Sequence, residues 1–225
     1  MGTSRSTAAG EVDRGIERRP SLNAQHRATY DRIAARYAVA NAEMVPMVAN
    51  AAARFLEELQ EHPRILDLGC GHGRDLAWFA ARGARVVGAD LSYGMLVQAR
   101  RQVDVPLLVL DMRRPAFRRA GFDGVWCNAA IIHLPVNDVL QTLVAITHLL
   151  VPGGLGFFSI QIGSGGRWEQ ESYGEAAARF FGRYRPGAFE ALLSGAGFEV
   201  LDQSDSWAGP RRHWAHYLVR RGRAG

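Results

Sequence analysis

The chain has 225 residues, 48% of them hydrophobic and 22% charged, the size and mix of one globular domain rather than a disordered chain or a coiled coil. Its two cysteines, Cys70 and Cys127, rule out a disulfide framework, and without HxxxH or CxxC spacing the expectation is reduced thiols and no metal site. The net charge of +5 sits in one stretch, Arg211 to Gly225, which holds five arginines and no acid; the rest of the chain is balanced, so the basic pI does not describe a basic protein.

In chain order, residues 1–22 are polar and aperiodic and read as a flexible tail. A single domain is expected over 23–221. It opens with a helical cap over about 23–60: Tyr30, Ile33, Ala34 and Tyr37 fall at helical spacing, Pro46 interrupts, and a second helix carries Val48, Ala52, Phe55, Leu56 and Leu59. Then short apolar runs alternate with helix-length segments. The runs are Arg64–Leu68, Arg85–Ala89, Val105–Leu110, Gly124–Cys127, Leu155–Gln161, Phe198–Leu201 and His213–Val219. This rhythm predicts an α/β fold: a doubly wound sheet of seven strands, mostly parallel, with helices on both faces. The gap Asp205–Arg212 is too short for a helix, so the last strand is expected antiparallel. Residues 163–185 are too long for an ordinary αβ connection and predict a lid over the carboxyl end of the sheet. A helix is expected there from about Glu175. Trp168, Tyr173, Arg179, Arg183 and Tyr184 are its candidate substrate contacts, and Arg179 and Arg183 would share a helical face suited to an acidic acceptor, or else pair with the lid glutamates Glu169, Glu171 and Glu175 on a solvated surface.

No run of about 20 apolar residues is present; the richest stretch, Leu143–Ile160, is broken by His148, Pro152, Gly153 and Gly154. The first 20 residues lack an apolar signal core. A cytoplasmic location with no membrane partner is expected.

The site-bearing motif is ILDLGCGHGRD, Ile65–Asp75. A buried strand is followed by Gly69, Gly71 and Gly73, and then a helix opens. Such a turn lets a nucleotide-like group approach the backbone at the carboxyl end of a sheet. Arg74 stands where a dinucleotide fingerprint has Gly or Ala, which disfavours a nicotinamide dehydrogenase. Asp90 ends the second strand, 21 residues after Gly69, where a carboxylate meets a ribose; otherwise it caps the helix starting at Tyr93. Asp111 follows the third strand, where it accepts from an adenine amino group or merely caps a turn.

With the motifs LDLGCGHG, VVGADLS, LDM, FDGVWCNAAIIHLP, LLVPGGLGFFSI and AGFEV in this order, the chain resembles a class I S-adenosylmethionine-dependent methyltransferase over about Ala28–Arg221. The resemblance implies S-adenosyl-L-methionine as cofactor. It places Asp67, Gly69, Cys70 and Gly71 at the methionine end and Asp90 at the ribose. Leu91, Met95, Asp111 and Met112 fall around the adenine, and Asn128 and Ala129 at the end of strand four. The helix Tyr30-Asp31-Arg32-Ile33-Ala34-Ala35-Arg36-Tyr37 resembles the aromatic lid of such enzymes, with Tyr37 as its candidate; core packing is the other reading. The implied function is methyl transfer to a hydroxyl, amine or carboxylate of a small molecule by in-line displacement.

Two alternatives stand beside it: an RNA (tRNA-modifying) methyltransferase using the Arg-rich C-terminus and Arg113, Arg114, Arg118 and Arg119, and a cofactor-binding protein without methyl transfer. Asn128-Ala129-Ala130-Ile131 is not the N/D-P-P-Y/F pattern of base-amine methylation, and Cys127 has no preceding proline, so nucleic acid is disfavoured. The thiols read as small apolar fillers lying close together on neighbouring strands. His133 is the candidate base, or else a loop histidine that packs before Pro135. His213 and His216 fall on opposite faces of a strand and make no metal pair.

Overall fold

The computed structural model describes residues 21–209 and 212–222. The expected tail lies outside them except for its last two residues, and these belong to the first helix. Ser21 caps α1 (Leu22–Ala40) by accepting from the Ala24 N–H, and Pro46 opens α2 (Pro46–Glu57), where its missing N–H removes no helical bond. The alternating section then runs β1 (Arg64–Leu68), α3 (Arg74–Ala80), β2 (Arg85–Asp90), α4 (Tyr93–Gln102), β3 (Leu107–Val109) and β4 (Phe122–Cys127). After a 3-10 turn at Ile131–His133 come α5 (Val136–Leu149) and β5 (Leu150–Ile162). The chain continues with β6 (Gly165–Ser172), β7 (Glu175–Tyr184), α6 (Pro186–Gly195), β8 (Phe198–Ala208) and β9 (Arg212–Arg221).

Strands β3-β2-β1-β4-β5 lie parallel in that order, β9 runs antiparallel along the far side of β5, and β8 pairs antiparallel with β9. These seven strands are the expected sheet with its reversed last strand. The sheet nevertheless has nine strands rather than seven, because the lid segment is a β-hairpin and not a helix. Tyr173 and Gly174 both have positive φ, 54° and 74°, and join Ser172 to Glu175 as a two-residue turn of the kind that matches strand twist. Beyond Cys127, where β4 stops, β7 takes its place beside β5 through Gln161↔Arg183 and Ile162↔Tyr184. In β7, Ala177, Arg179, Phe181 and Tyr184 are buried. Packing under α1 overrides the helical propensity of Ala176–Ala178.

Side chains alternate across the sheet into two cores. Ile65, Trp126 and Phe157 face α2 and α3, where Phe55 and Phe79 close on the Trp126 ring. Leu66, Val125, Cys127 and Phe158 face α5 and α6. Each fully buried large side chain of this kind contributes about 1.5–3 kcal/mol. The two thiols, expected to lie close together, fall into different cores, Cys127 with the α5 side and Cys70 with the α3 side. Cys70 lies past the end of β1, in the turn that Gly69 opens at φ +81°, so the alternation of the strand does not carry to it. Helix α1 lies apart from both cores, across the carboxyl end of the sheet between α4 and β7.

Candidate active site

The floor of the site is the turn after β1. The Gly69 and Cys70 N–H groups both donate to the Ala89 carbonyl, at 2.7 and 3.1 Å, which ties the turn to β2. Gly69 has φ +81°, and a Cβ there would stand 2.3 Å from Ala130 Cβ. Gly71 has φ +54° and nothing within 4 Å of where its Cβ would be, so its backbone faces open space. The Gly71 N–H donates to Asp90 Oδ2 at 2.9 Å, and the Ser92 N–H donates to Asp90 Oδ1 at 2.8 Å. Burial pushes the Asp90 carboxyl up, against the pull of these N–H bonds. Each Asp90 oxygen keeps a lone pair for a ligand.

Behind the floor lies Asp75, which sequence reasoning missed. Its carboxylate is buried and accepts from Arg74 Nε at 2.7 Å, Trp126 Nε1 at 2.9 Å and Asn128 Nδ2 at 3.0 Å. Asn128 is held on its other side by the Ser159 hydroxyl, which donates to Oδ1 at 2.7 Å and accepts from the Ala129 N–H at 2.7 Å. These bonds fix Ala129 at φ +54°, a left-handed conformation that costs a non-glycine residue roughly 1–2 kcal/mol. An Asp opening a helix looks like ordinary first-turn charge, so no local signal marked it. Asp67 lies deeper. Burial pushes its carboxyl well up, and its Oδ2 has no hydrogen-bond partner among the described residues.

Asp111 closes the far end. It accepts from Asn23 Nδ2 at 2.8 Å and from the Arg113 backbone and guanidinium. Partial burial raises its carboxyl, but the Arg113 bonds outweigh that and hold it below the usual range. Both oxygens are engaged, so an adenine amino group would have to share them.

The roof is α1. Asp31 accepts from the Ser92 hydroxyl at 2.6 Å and the Gly94 N–H at 2.8 Å, fastening α1 to α4. Thr29 donates to the Ala178 carbonyl at 2.9 Å, and Arg36 pairs with Glu175 at 3.2 Å, fastening it to β7. His72 donates from Nε2 to the Asn41 carbonyl at 3.0 Å, fastening the end of α1 to the glycine turn. Tyr37 meets Tyr30, His72 and Tyr173 edge to face.

Under this roof three rings meet. His133 Nδ1 lies 2.8 Å from the Phe180 carbonyl, and its Nε2 lies 2.8 Å from the Tyr30 hydroxyl. A carbonyl only accepts, so Nδ1 carries the proton and Nε2 accepts from Tyr30. Burial lowers His133 to about 3, with the nearby His26 adding to it, so it is neutral at pH 7. The Phe180 N–H donates to His26 Nε2 at 3.2 Å. Arg179 Nη1 makes a long 3.4 Å contact to the Tyr30 oxygen, while its Nη2 pairs with Glu169 at 3.2 Å.

One cavity lies between floor and roof. Of the expected cofactor residues, Tyr37, Gly69, Gly71, Asp90, Leu91 and Met95 line it, as do Asp111, Met112, Asn128 and Ala129. Asp67 and Cys70 stand behind the wall. His133 is on it, and so are residues not anticipated: Asn23, His26, Arg27, Tyr30, Ser92 and Leu134. Tyr30 stood inside the motif that pointed to Tyr37, so its spacing was available as a signal. None of the lid candidates lines the cavity. Tyr184 is in the core against Phe189, Trp168 packs on Phe180, and Tyr173 supports Tyr37 from outside. Arg183 donates to the Ser164 carbonyl, and Arg179 sits behind Tyr30 paired with Glu169, so neither stands free at a mouth. Of the arginines that suggested RNA, Arg113 pairs with Asp111 and Asp138, Arg212 with Glu169, and Arg220 with Glu58. Arg211 and Arg223 lie outside the described residues.

Residues 65–154 match the family model described as a methyltransferase domain. The fold around them is the one seen in solved S-adenosylmethionine-dependent methyltransferases. The domain is 32% identical over 121 residues to the methyltransferase GfsG of Streptomyces halstedii, covering 48% of this chain and 43% of that one. It is 38% identical over 102 residues to a ubiquinone biosynthesis O-methyltransferase of Aromatoleum aromaticum, covering 43% of each. The chain thus spans less than half the length of these curated relatives. In fold it is similar to the 1,6-didemethyltoxoflavin-N1-methyltransferase of Burkholderia thailandensis, solved with 1,6-didemethyltoxoflavin and S-adenosylhomocysteine. That likeness has a TM-score of 0.72 at 23% identity, over 88% of each chain. Among the described residues no helix is long and apolar enough to cross a membrane.

Proposed function

We propose that the protein is an S-adenosyl-L-methionine-dependent methyltransferase that methylates a hydroxyl, amine or carboxylate of a small molecule by in-line displacement. The observation that carries this reading is the open face at Gly71, bordered by the Asp90 carboxylate and roofed by α1. The residues fit the cofactor: a backbone with no Cβ in the way, a carboxylate with spare lone pairs, and a buried Asp67 oxygen that lacks a partner.

In this reading Gly69 and Gly71, backed by Asp67 and Cys70, hold the methionine end, and Asp90 accepts from the ribose hydroxyls. Leu91, Met95 and Met112 flank the adenine beside Asp111. Asn128 and Ala129 line the reacting end, and Tyr37 covers it. The bound sulfonium supplies an already activated methyl group. The protein's task is then to align the acceptor and exclude water. Helix α1 does the excluding. His133 serves as base only through Tyr30, whose hydroxyl occupies its free nitrogen; an acceptor proton would pass to the Tyr30 oxygen as the phenol proton moves to His133 Nε2. Hydroxyl acceptors are favoured by the names of the curated relatives, among them an O-methyltransferase.

Calorimetry of the purified protein with S-adenosylhomocysteine and with NAD tests the cofactor. Affinity of about micromolar class for the first, with none for the second, is expected; the reverse result overturns the reading.

A further inference from the structure

One residue of β7, Phe180, sets the polarity of both imidazoles under the roof through its backbone N–H and carbonyl. The Phe180 carbonyl takes the proton of His133 Nδ1, leaving His133 Nε2 to accept from Tyr30. The Phe180 N–H occupies His26 Nε2, so the proton of the neutral His26 ring is on Nδ1. That Nδ1 is buried and has no partner among the described residues, and His26, 4% exposed, lines the cavity. Burial, reinforced by the nearby Arg179, keeps His26 neutral at physiological pH. An unmatched donor in such a place is costly unless a ligand completes it.

The neighbouring Tyr30 is the opposite case. Its proton is committed to His133, and its contact to Arg179 is long, so its oxygen retains capacity to accept. The cavity-lining His26 and Tyr30 therefore carry one unmatched donor and one acceptor, on rings whose centroids lie 6.3 Å apart. The buried Arg179 behind Tyr30 has its charge balanced by Glu169 at 3.2 Å, and Arg27 is more than half exposed and faces Asp31, so neither leaves an unbalanced positive charge for an anionic acceptor.

We propose that His26 is the specificity-determining residue for the methyl acceptor, and that the acceptor is a neutral molecule with a hydrogen-bond-accepting atom next to its X–H group. A cyclic amide, a hydroxy-carbonyl or an N–H heterocycle has this edge; a carboxylate does not. Its accepting atom docks on His26 Nδ1–H and its X–H on the Tyr30 oxygen. The inference rests on the methyltransferase reading for its purpose, but its test does not need turnover.

The experiment uses the full chain loaded with S-adenosylhomocysteine and three probes: 2-pyridone, its N-methyl derivative and benzoate. Nitrogen-15 NMR of the histidine rings should show both His26 and His133 protonated on Nδ1, and 2-pyridone should shift the His26 Nδ1 signal. By calorimetry, 2-pyridone should bind more tightly than either other probe. His26→Phe should weaken it tenfold or more. His26→Asn, whose amide N–H stands near the place of Nδ1, should restore it to within about threefold. Affinity for S-adenosylhomocysteine should stay unchanged in both variants. The proposal is overturned if 2-pyridone leaves the His26 signal unmoved, if benzoate binds best, or if His26→Phe binds 2-pyridone as wild type does. Failure of S-adenosylhomocysteine to bind wild type would instead sink the cofactor reading, and the same three probes on the unloaded chain would then decide the role of His26.

Discussion

The floor and the roof of the cavity are built by different means. On the floor, Gly71 meets Asp90 across 19 residues through backbone donors held by adjacent parallel strands. In the roof, Tyr30 meets His133 across 103 residues and Phe180 meets His26 across 154, through side chains on elements that share no sheet register. Backbone groups cannot be mutated away, so the floor tolerates drift in its side chains but not in its path. A roof made of rings and hydroxyls changes its chemistry with each substitution. Under the proposed function, the cofactor end is the part fixed by backbone and the acceptor end the part open to substitution.

The comparison breaks hardest at the floor. Asp75→Ala should leave the Arg74, Trp126 and Asn128 donors unpaired in the core and cost about 3–5 kcal/mol in urea unfolding. Next comes Asp90→Ala, expected to lower S-adenosylhomocysteine affinity by about 2–4 kcal/mol in calorimetry, as two charge-assisted bonds are lost. Equal affinities for variant and wild type would remove the ribose assignment.

Roof variants should instead spare the cofactor. His133 is held neutral, at about 3 against an unfolded value near 6.5, so the unfolded chain binds the extra proton between those limits. Its contribution to stability is complete above pH 6.5 and is lost as pH falls toward 3. At pH 5 that loss is about 2 kcal/mol. His133→Gln should therefore flatten the stability–pH slope between 4 and 6.5 by about 1.4 kcal/mol per pH unit. Asp67, raised by burial, works with the opposite sign and is common to both proteins, so the difference isolates the histidine. Activity dependent on neutral His133 should also be flat above about pH 5, rather than rising through 6.5.

Tyr30→Phe leaves the His133 nitrogen without its donor, at about 1–2 kcal/mol of stability; kcat should drop tenfold or more at unchanged cofactor affinity. The smallest effect belongs to Arg183→Gln. Its guanidinium donates only to the half-exposed Ser164 region, and the variant should keep wild-type acceptor KM and stability within about 0.5 kcal/mol.

The same contrast explains what could be read beforehand. The glycine turn, Asp90 and the strand–helix rhythm are contiguous motifs whose geometry follows from a few neighbouring residues, and they fell where expected. The β6–β7 hairpin was hidden because Ala176–Ala178 favour a helix locally, and only the two-residue turn at Tyr173-Gly174 marked it. Arg179 and Arg183 could be read as free cations or as partners of the lid glutamates; the hairpin decides it by bringing Glu169 to Arg179 and the Ser164 carbonyl to Arg183. Asp75 was invisible for the same reason: its three donors come from α3 and the end of β4, and one acidic residue in a helix's first turn looks like any other.

The β6–β7 hairpin meets the parent sheet at only two residues of β5, Gln161 and Ile162, just past the point where β4 gives out. Nothing in the order of the other seven strands depends on it. It enters and leaves the chain between β5 and α6, as a cassette with its own internal ladder and turn. Yet it carries the Phe180 backbone N–H and carbonyl that orient both imidazoles and the arginine behind Tyr30. Exchange of this hairpin at one locus, with Phe181 and Tyr184 kept for the core they share with Phe189, could thus change the chemistry of the cavity roof without altering the order of the other seven strands. The fold has confined its evolvability, and an engineer's point of entry, to a single hairpin.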